Sequence, residues 1–132
     1  SLSNMALPHL KANKKGSIIN IASVEALTPG LGLGIYSTSK AAILMLSKNQ
    51  AKEWGKYGIR VNAICPGLIK TKFSAALWQN EKILGKIQKT LPSERMGMPE
   101  EMVGLACLLA SDAGSYMTGG VYTADGGYMI AG

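Results

Sequence analysis

The sequence predicts an α/β domain built on a short parallel sheet, and three observations carry that prediction. Three short runs, 17–22, 59–65 and 120–124, are rich in β-branched or small apolar residues and read as strands buried on both faces. Stretches with helical periodicity separate them, as crossover connections between parallel strands require. Each run also ends on loop or turn residues: the glycine-rich loop from Val24, Pro66-Gly67, and Asp125-Gly126-Gly127.

The chain opens on the apolar stripe Leu2, Met5, Ala6, Leu7 and Leu10 of a helix. Lys14 and Lys15 suit its C-terminal end, and Gly16 is expected to stop it. No cap and no methionine precede the stripe, so the natural N-terminus is expected upstream. Ser17–Ala22 forms the first strand and Val24–Ile35 a loop. A helix is expected from Tyr36 to about Lys56, ended by Gly58. Its segment Ala41–Leu46 is apolar around the circumference, which predicts burial on two sides. One side suits the sheet and the other a second copy of the chain, as a homodimer or homotetramer. Ile59–Cys65 is the second strand, broken by Pro66-Gly67. Residues 74–91 read as one or two short helices with Ile83, Leu84, Ile87 and Leu91 on one face. Pro99-Glu100-Glu101 opens another helix, with proline and acids suited to a helix N-terminus, and this runs to about Ala110. Gly120–Ala124 is the last strand.

A chain of 132 residues is one domain at most. Its net charge of +6 comes from twelve scattered lysines and two arginines, and reads as a solvated surface. Scarce arginine argues against base readout, so no nucleic-acid partner is expected. No apolar stretch is long enough to span a bilayer, and no membrane partner is expected either. Cys65 and Cys107 lie in apolar runs and are expected to be buried thiols rather than a disulfide, which fits a reducing cytoplasm. His9 is expected at a surface or helix end, and Glu25 is expected to face water. No metal site is expected.

The chemistry concentrates in one stretch. Tyr36 and Lys40 are spaced i, i+4 and share a helix face, and Ser23 stands thirteen residues before the tyrosine. A lysine charge one turn from a phenol favours its anion. A serine hydroxyl can hold the oxygen that gains or loses the proton. Taken singly, each residue has an ordinary role: Ser23 as a loop serine, Tyr36 at the core edge, Thr71 as a helix cap.

The surrounding motifs give them a joint meaning. Asn20-Ile21-Ala22-Ser23, Tyr36-Ser37-Thr38-Ser39-Lys40-Ala41-Ala42 and Ile59-Arg60-Val61-Asn62-Ala63-Ile64-Cys65-Pro66-Gly67-Leu68-Ile69-Lys70-Thr71 resemble the short-chain dehydrogenase/reductase family. Arg95-Met96-Gly97-Met98-Pro99-Glu100-Glu101, Thr118-Gly119-Gly120 and Asp125-Gly126-Gly127 continue the resemblance, in order, over nearly the whole chain. Pro66–Ser74 with Leu77-Trp78 further resembles the branch of tetrameric carbonyl reductases and retinol dehydrogenases.

The resemblance implies the C-terminal part of a doubly wound, Rossmann-type parallel sheet, with residues 1–132 as one partial domain and the N-terminal nucleotide-binding half absent. It implies an NAD- or NADP-dependent oxidoreductase acting between a carbonyl and a secondary alcohol. Tyr36 would be the acid and base, Lys40 would support it and hold the nicotinamide ribose, and Ser23 would hold the substrate oxygen. Pro66, Gly67, Ile69 and Thr71 would place the nicotinamide carboxamide. Phe73, Leu77 and Trp78 fall in the family's substrate loop and, with Ile83, Leu84 and Ile87, give it an apolar inner face, which favours a small apolar carbonyl or alcohol. The family's dinucleotide loop is not in this sequence, because Gly30, Gly32 and Gly34 follow Ser23 and have the wrong spacing. The family's fourth catalytic residue, an asparagine, would lie before Ser1, and Asn4 stands too late. The competing expectation is an inactive half-domain that serves as an assembly or interaction module.

Overall fold

Strand β2 (Ile59–Pro66) forms the middle of a three-stranded sheet in the order β1-β2-β3, with β1 at Gly16–Ile21 and β3 at Val121–Ala124. The structure is a computed structural model and describes residues 2–131. Both strand pairings are parallel. β1 lies on β2 from Gly16↔Ile59 to Ile21↔Ile64, and β3 lies on it from Ala63↔Val121 to Pro66↔Ala124. Every residue from Val61 to Cys65 is buried. A strand buried on both faces reads as a continuous apolar run, and this one does.

The two faces carry different helices. Ile59, Val61, Ala63 and Cys65 meet α2 (Gly34–Trp54) through Leu44, Ala51 and Trp54. α1 (Leu2–Ala12) adds Leu7 and Leu10 at the edge of that layer. Arg60 points the other way, toward α5 (Val103–Ala110). There the Arg60 guanidinium and the Ser17 hydroxyl both donate to the Leu109 carbonyl, each at 2.8 Å. Helices on both faces of a parallel sheet are the doubly wound arrangement that the family resemblance implies.

Buried polar groups fix the seams. Asn62 is fully buried; its side-chain nitrogen donates to Met117 O at 2.7 Å and its oxygen accepts from the Gly120 amide at 3.1 Å. This amide holds the approach to β3 against β2. Asn20 donates to the Ser47 hydroxyl at 2.8 Å and so joins β1 to the inner face of α2.

Several elements differ from the sequence reading. α1 ends at Ala12, and the left-handed turn is made by Lys14 (φ 48°), not by Gly16, which opens β1. α2 starts at Gly34, two residues early, and its last turn tightens to a 3-10 turn at Gly55–Tyr57. The segment 74–91 is two helices, α3 (Ala75–Trp78) and α4 (Glu81–Thr90), separated by Asn80, which caps α4 by accepting from the Lys82 and Ile83 amides. Pro99–Met102 is a 3-10 turn that leads into α5. Cys107 is exposed on α5, against the expected buried thiol, because the apolar sequence of that helix exceeds the face the sheet can cover. On α2, Met45 and Leu46 likewise face outward, opposite the sheet. Among the described residues no helix is long and apolar enough to cross a membrane.

Gly58 and Gly55 give a paired test. Gly58 has φ 74°, and a side chain there would strike the Lys14 carbonyl at the meeting of the two strand starts. Gly55 is in right-handed helical conformation with open space around it. Gly58→Ala should lower unfolding stability in urea by about 1–3 kcal/mol, whereas Gly55→Ala should raise it by about 0.4–1 kcal/mol.

Candidate active site

In a parallel pair the strands leave the sheet at the same edge, and there the candidate residues collect. β1 ends at Ile21; the Ala22 amide still pairs with Ile64 O at 2.8 Å, and Ser23 follows. Ser23 is buried, 8 % exposed. Its oxygen accepts from the Glu25 amide at 3.2 Å and caps the 3-10 turn Val24–Ala26. It donates its own hydrogen to no acceptor among the described residues.

Tyr36 and Lys40 occupy the first two turns of α2. The Lys40 ammonium lies 5.7 Å from the Tyr36 ring centroid and donates to Ile21 O at 3.3 Å, which draws it to the end of β1. No carboxylate among the described residues pairs with it. Cys65, at the same edge on β2, reports the convergence electrostatically. Burial pushes its thiol up, while the Ser23 amide and the Lys40 charge pull the other way. Burial prevails, so Cys65 is the small buried hydrophobe expected of it.

The loop after β2 closes over this edge. The Gly67 amide donates to Ala124 O at 3.1 Å, and a Cβ on Gly67 would stand 2.6 Å from the Asp125 Cα. No side chain fits between the two segments. Pro66 ends β2 without needing a donor on its outer side. Ile69 makes an isolated bridge to Gly97 that uses the Leu68 carbonyl and the Lys70 amide. Its own amide and carbonyl therefore face away from Gly97. The carbonyl accepts from the Ser74 hydroxyl at 2.6 Å, and the amide has no partner among the described residues.

Phe73 stacks on Tyr36, with ring centroids 6.3 Å apart and planes at 26°. It is 87 % exposed, and Ile35 beside Tyr36 is 91 % exposed. The other loop residues turn inward on themselves. The Thr71 hydroxyl accepts from the Ser74 amide at 3.3 Å, a local capping role. The Trp78 indole donates to Thr71 O at 2.9 Å, and Lys70 lies 4.9 Å over its ring. Leu77 is half-buried within α3. The structure thus brings Ser23, Tyr36, Lys40 and Phe73 to one edge, while Trp78 props the loop.

Glu25 departs from its expected place in water. Its carboxylate accepts from the Tyr128 hydroxyl at 2.9 Å and from the Ser37 hydroxyl at 3.4 Å. Nothing local in sequence marks this, because Tyr128 is 103 positions away. A cleft of about 230 Å³ lies between Leu68-Ile69, the Arg95–Glu101 corner and Asp125, and one of about 540 Å³ opens at the strand starts beside Ser17 and Arg60. Neither is lined by Ser23, Tyr36 or Lys40, which lie at an open edge. No group of His, Cys, Asp and Glu among the described residues could hold a metal ion.

Comparison with known proteins adds a family match and three relatives. Residues 1–129 match a family model described as enoyl-(acyl carrier protein) reductase. The rabbit (Oryctolagus cuniculus) protein named dehydrogenase/reductase SDR family member 4 is 40 % identical over 126 residues, 96 % of this chain and 48 % of that protein. Among solved structures, 4-hydroxyisoleucine dehydrogenase complexed with NADH superposes with a TM-score of 0.94 at 33 % identity, covering 99 % of this chain and 54 % of the other. A gluconate 5-dehydrogenase from Burkholderia cenocepacia, in complex with NADP and tartrate, gives a TM-score of 0.91 at 33 % identity, over 95 % and 49 %. The chain spans about half the length of these relatives.

The corner beside Ile69 has its own electrostatics. Arg95 grips both Glu101 oxygens, at 2.6 and 2.7 Å, and Glu101 also accepts from the Met98 amide at 2.8 Å. Arg95 and that amide lower the Glu101 carboxyl to about 2. A depressed carboxylate stabilises the folded corner above its unfolded range near 4.5, and this support is lost as pH falls toward 2. Carboxyl carbon shifts of Glu101 should titrate near 2, and Arg95→Ala should return the midpoint toward the ordinary value.

Proposed function

This chain belongs to the short-chain dehydrogenase/reductase family, and we propose that it forms the catalytic half of an NAD- or NADP-dependent oxidoreductase that interconverts a carbonyl and a secondary alcohol. The observation that carries the reading is the buried Ser23 hydroxyl, with its hydrogen unspent, at the edge where Lys40 and Tyr36 converge.

In the reducing direction the Tyr36 hydroxyl gives its proton to the substrate oxygen; in oxidation the phenolate takes it back. Lys40, near the ring and paired with no carboxylate among the described residues, stabilises the phenolate left behind. Ser23 donates to the same substrate oxygen and holds it toward Tyr36. When bound, the nicotinamide group supplies or accepts the hydride. The residues present fit that group. Ile69 offers an unspent amide to a carboxamide, the Pro66-Gly67 turn lets backbone approach closely, and the Lys40 ammonium suits ribose hydroxyls. The relatives named as bound to NADP or NADH support the same assignment.

The exposed apolar rim of Ile35 and Phe73 favours a small apolar ketone or alcohol over a sugar acid. Leu77 contributes to the same loop. The outward Met45 and Leu46 of α2 support association with a second copy, in a dimer or tetramer. A cytoplasmic location belongs to the same proposal, supported by the free thiols of Cys65 and Cys107.

The test uses the full-length protein that carries this chain, assayed with NADH and NADPH against apolar ketones, gluconate and an enoyl thioester. Ketone reduction should dominate. Tyr36→Phe should reduce kcat by about 10³-fold or more while cofactor affinity stays within a few fold, and Lys40→Met should weaken both. Full turnover in Tyr36→Phe would remove the proposed acid, and turnover of the enoyl thioester alone would replace the carbonyl reading.

A further inference from the structure

Three segments distant in sequence meet at the Glu25 carboxylate. Glu25 itself sits two residues after Ser23, in the turn that Ser23 caps. Ser37, next to Tyr36, donates to one carboxylate oxygen, and Tyr128, near the C-terminus, donates to the other. The loop that joins Ser23 to Tyr36 is moulded around this group, because a side chain on Gly30 would collide with the Glu25 carboxylate and with Leu33.

Tyr128 belongs to a rigid turn. The two Asp125 oxygens accept from the Gly127 and Met129 amides, each at 3.0 Å. The Tyr128 amide donates to Asp125 O at 3.1 Å. The same Asp125 rests against Gly67, whose amide is bonded to Ala124 O. One face of the C-terminal turn therefore supports the Pro66–Thr71 loop. Its other face, through Tyr128, supports the Ser23 turn.

We propose that Glu25 and Tyr128 are positioning residues, and that the C-terminal turn couples the loop that would hold the nicotinamide to the serine and tyrosine that would hold the substrate. The proposal rests on the catalytic reading of Ser23 and Tyr36 above. A half-buried phenol that donates to a carboxylate keeps its proton: burial and Glu25 both push Tyr128 up from its ordinary value. The strut thus keeps its donating hydroxyl throughout the neutral range. Movement of the Gly67 loop is transmitted to Asp125 by contact, along the turn to Tyr128, and from the Tyr128 hydroxyl to Glu25 by one hydrogen bond.

Hydrogen exchange on the full-length protein that carries this chain tests the coupling without turnover. The amides of Ala26, Leu27 and Thr28 are bonded within the Ser23 turn, to Ser23 O and Val24 O. Tyr128→Phe and Glu25→Ala should each speed their exchange roughly tenfold, while the β2 amides are unchanged. Glu25→Gln, whose amide oxygen still accepts from Tyr128, should remain within about threefold of the parent chain. Exchange unaltered by Tyr128→Phe, or equal in Glu25→Gln and Glu25→Ala, overturns the proposal. In the full-length protein, Tyr128→Phe should lower kcat for ketone reduction about tenfold and leave the cofactor KM within about twofold. Unchanged kcat would overturn the positioning role. A parent enzyme that reduces no ketone would count against the catalytic reading alone, since the exchange result stands without it.

Discussion

The register of β1 on β2 is the constraint on which the rest depends. Pairing Gly16 with Ile59 and Ile21 with Ile64 puts the two strand ends level. Ser23 then leaves the sheet beside Cys65 and Pro66, and Lys40 can reach the Ile21 carbonyl from α2. A slip of one residue would exchange the faces of β1. Ser17 would lose its bond to α5, Asn20 would turn from Ser47, and the serine would miss the tyrosine. Register is enforced from both faces at once, by apolar packing under α2 and by hydrogen bonds to the end of α5.

What the sequence made legible follows from this. The strands are buried on both faces, so their composition is continuous and β-branched, and all three were readable within a residue or so of their ends. Tyr36 and Lys40 lie one helical turn apart, and a local spacing can be read locally. Ser23 needed the surrounding motifs, since nothing about a lone serine after a strand distinguishes it. The parts that were not legible depend on contacts between distant segments. Glu25 has the composition of a solvated loop residue until Tyr128 arrives beside it. Lys14 takes a left-handed conformation because two strand starts converge there, although a glycine stands two positions on. Cys107 is exposed because an apolar helix has more circumference than one sheet face can cover.

Two kinds of polar device divide the labour. Asn62 and Arg60 spend their donors on backbone carbonyls, and so lock loops that carry no chemistry. Ser23 and Ile69 leave a donor unspent at the edge where the strands end. In a fold where buried polar groups are otherwise satisfied, the unspent donors are the informative ones. Among the described residues Gln50, on the buried face of α2 with its amide nitrogen unpartnered, is a further exception, and it lies beside the Asn20–Ser47 link rather than at the reactive edge.

The sheet order leaves the outer side of β1 without a strand partner among the described residues. Its amides and carbonyls on that side form an unfilled ladder that could take one more strand. A polypeptide that supplied such a strand would not have to be joined to this one by a peptide bond. An open strand of this kind is what an acceptor piece in fragment complementation needs. Two pieces made separately could meet there. Recovery of activity on mixing would then report the encounter itself, which makes the β1 edge a natural cut for a split reporter.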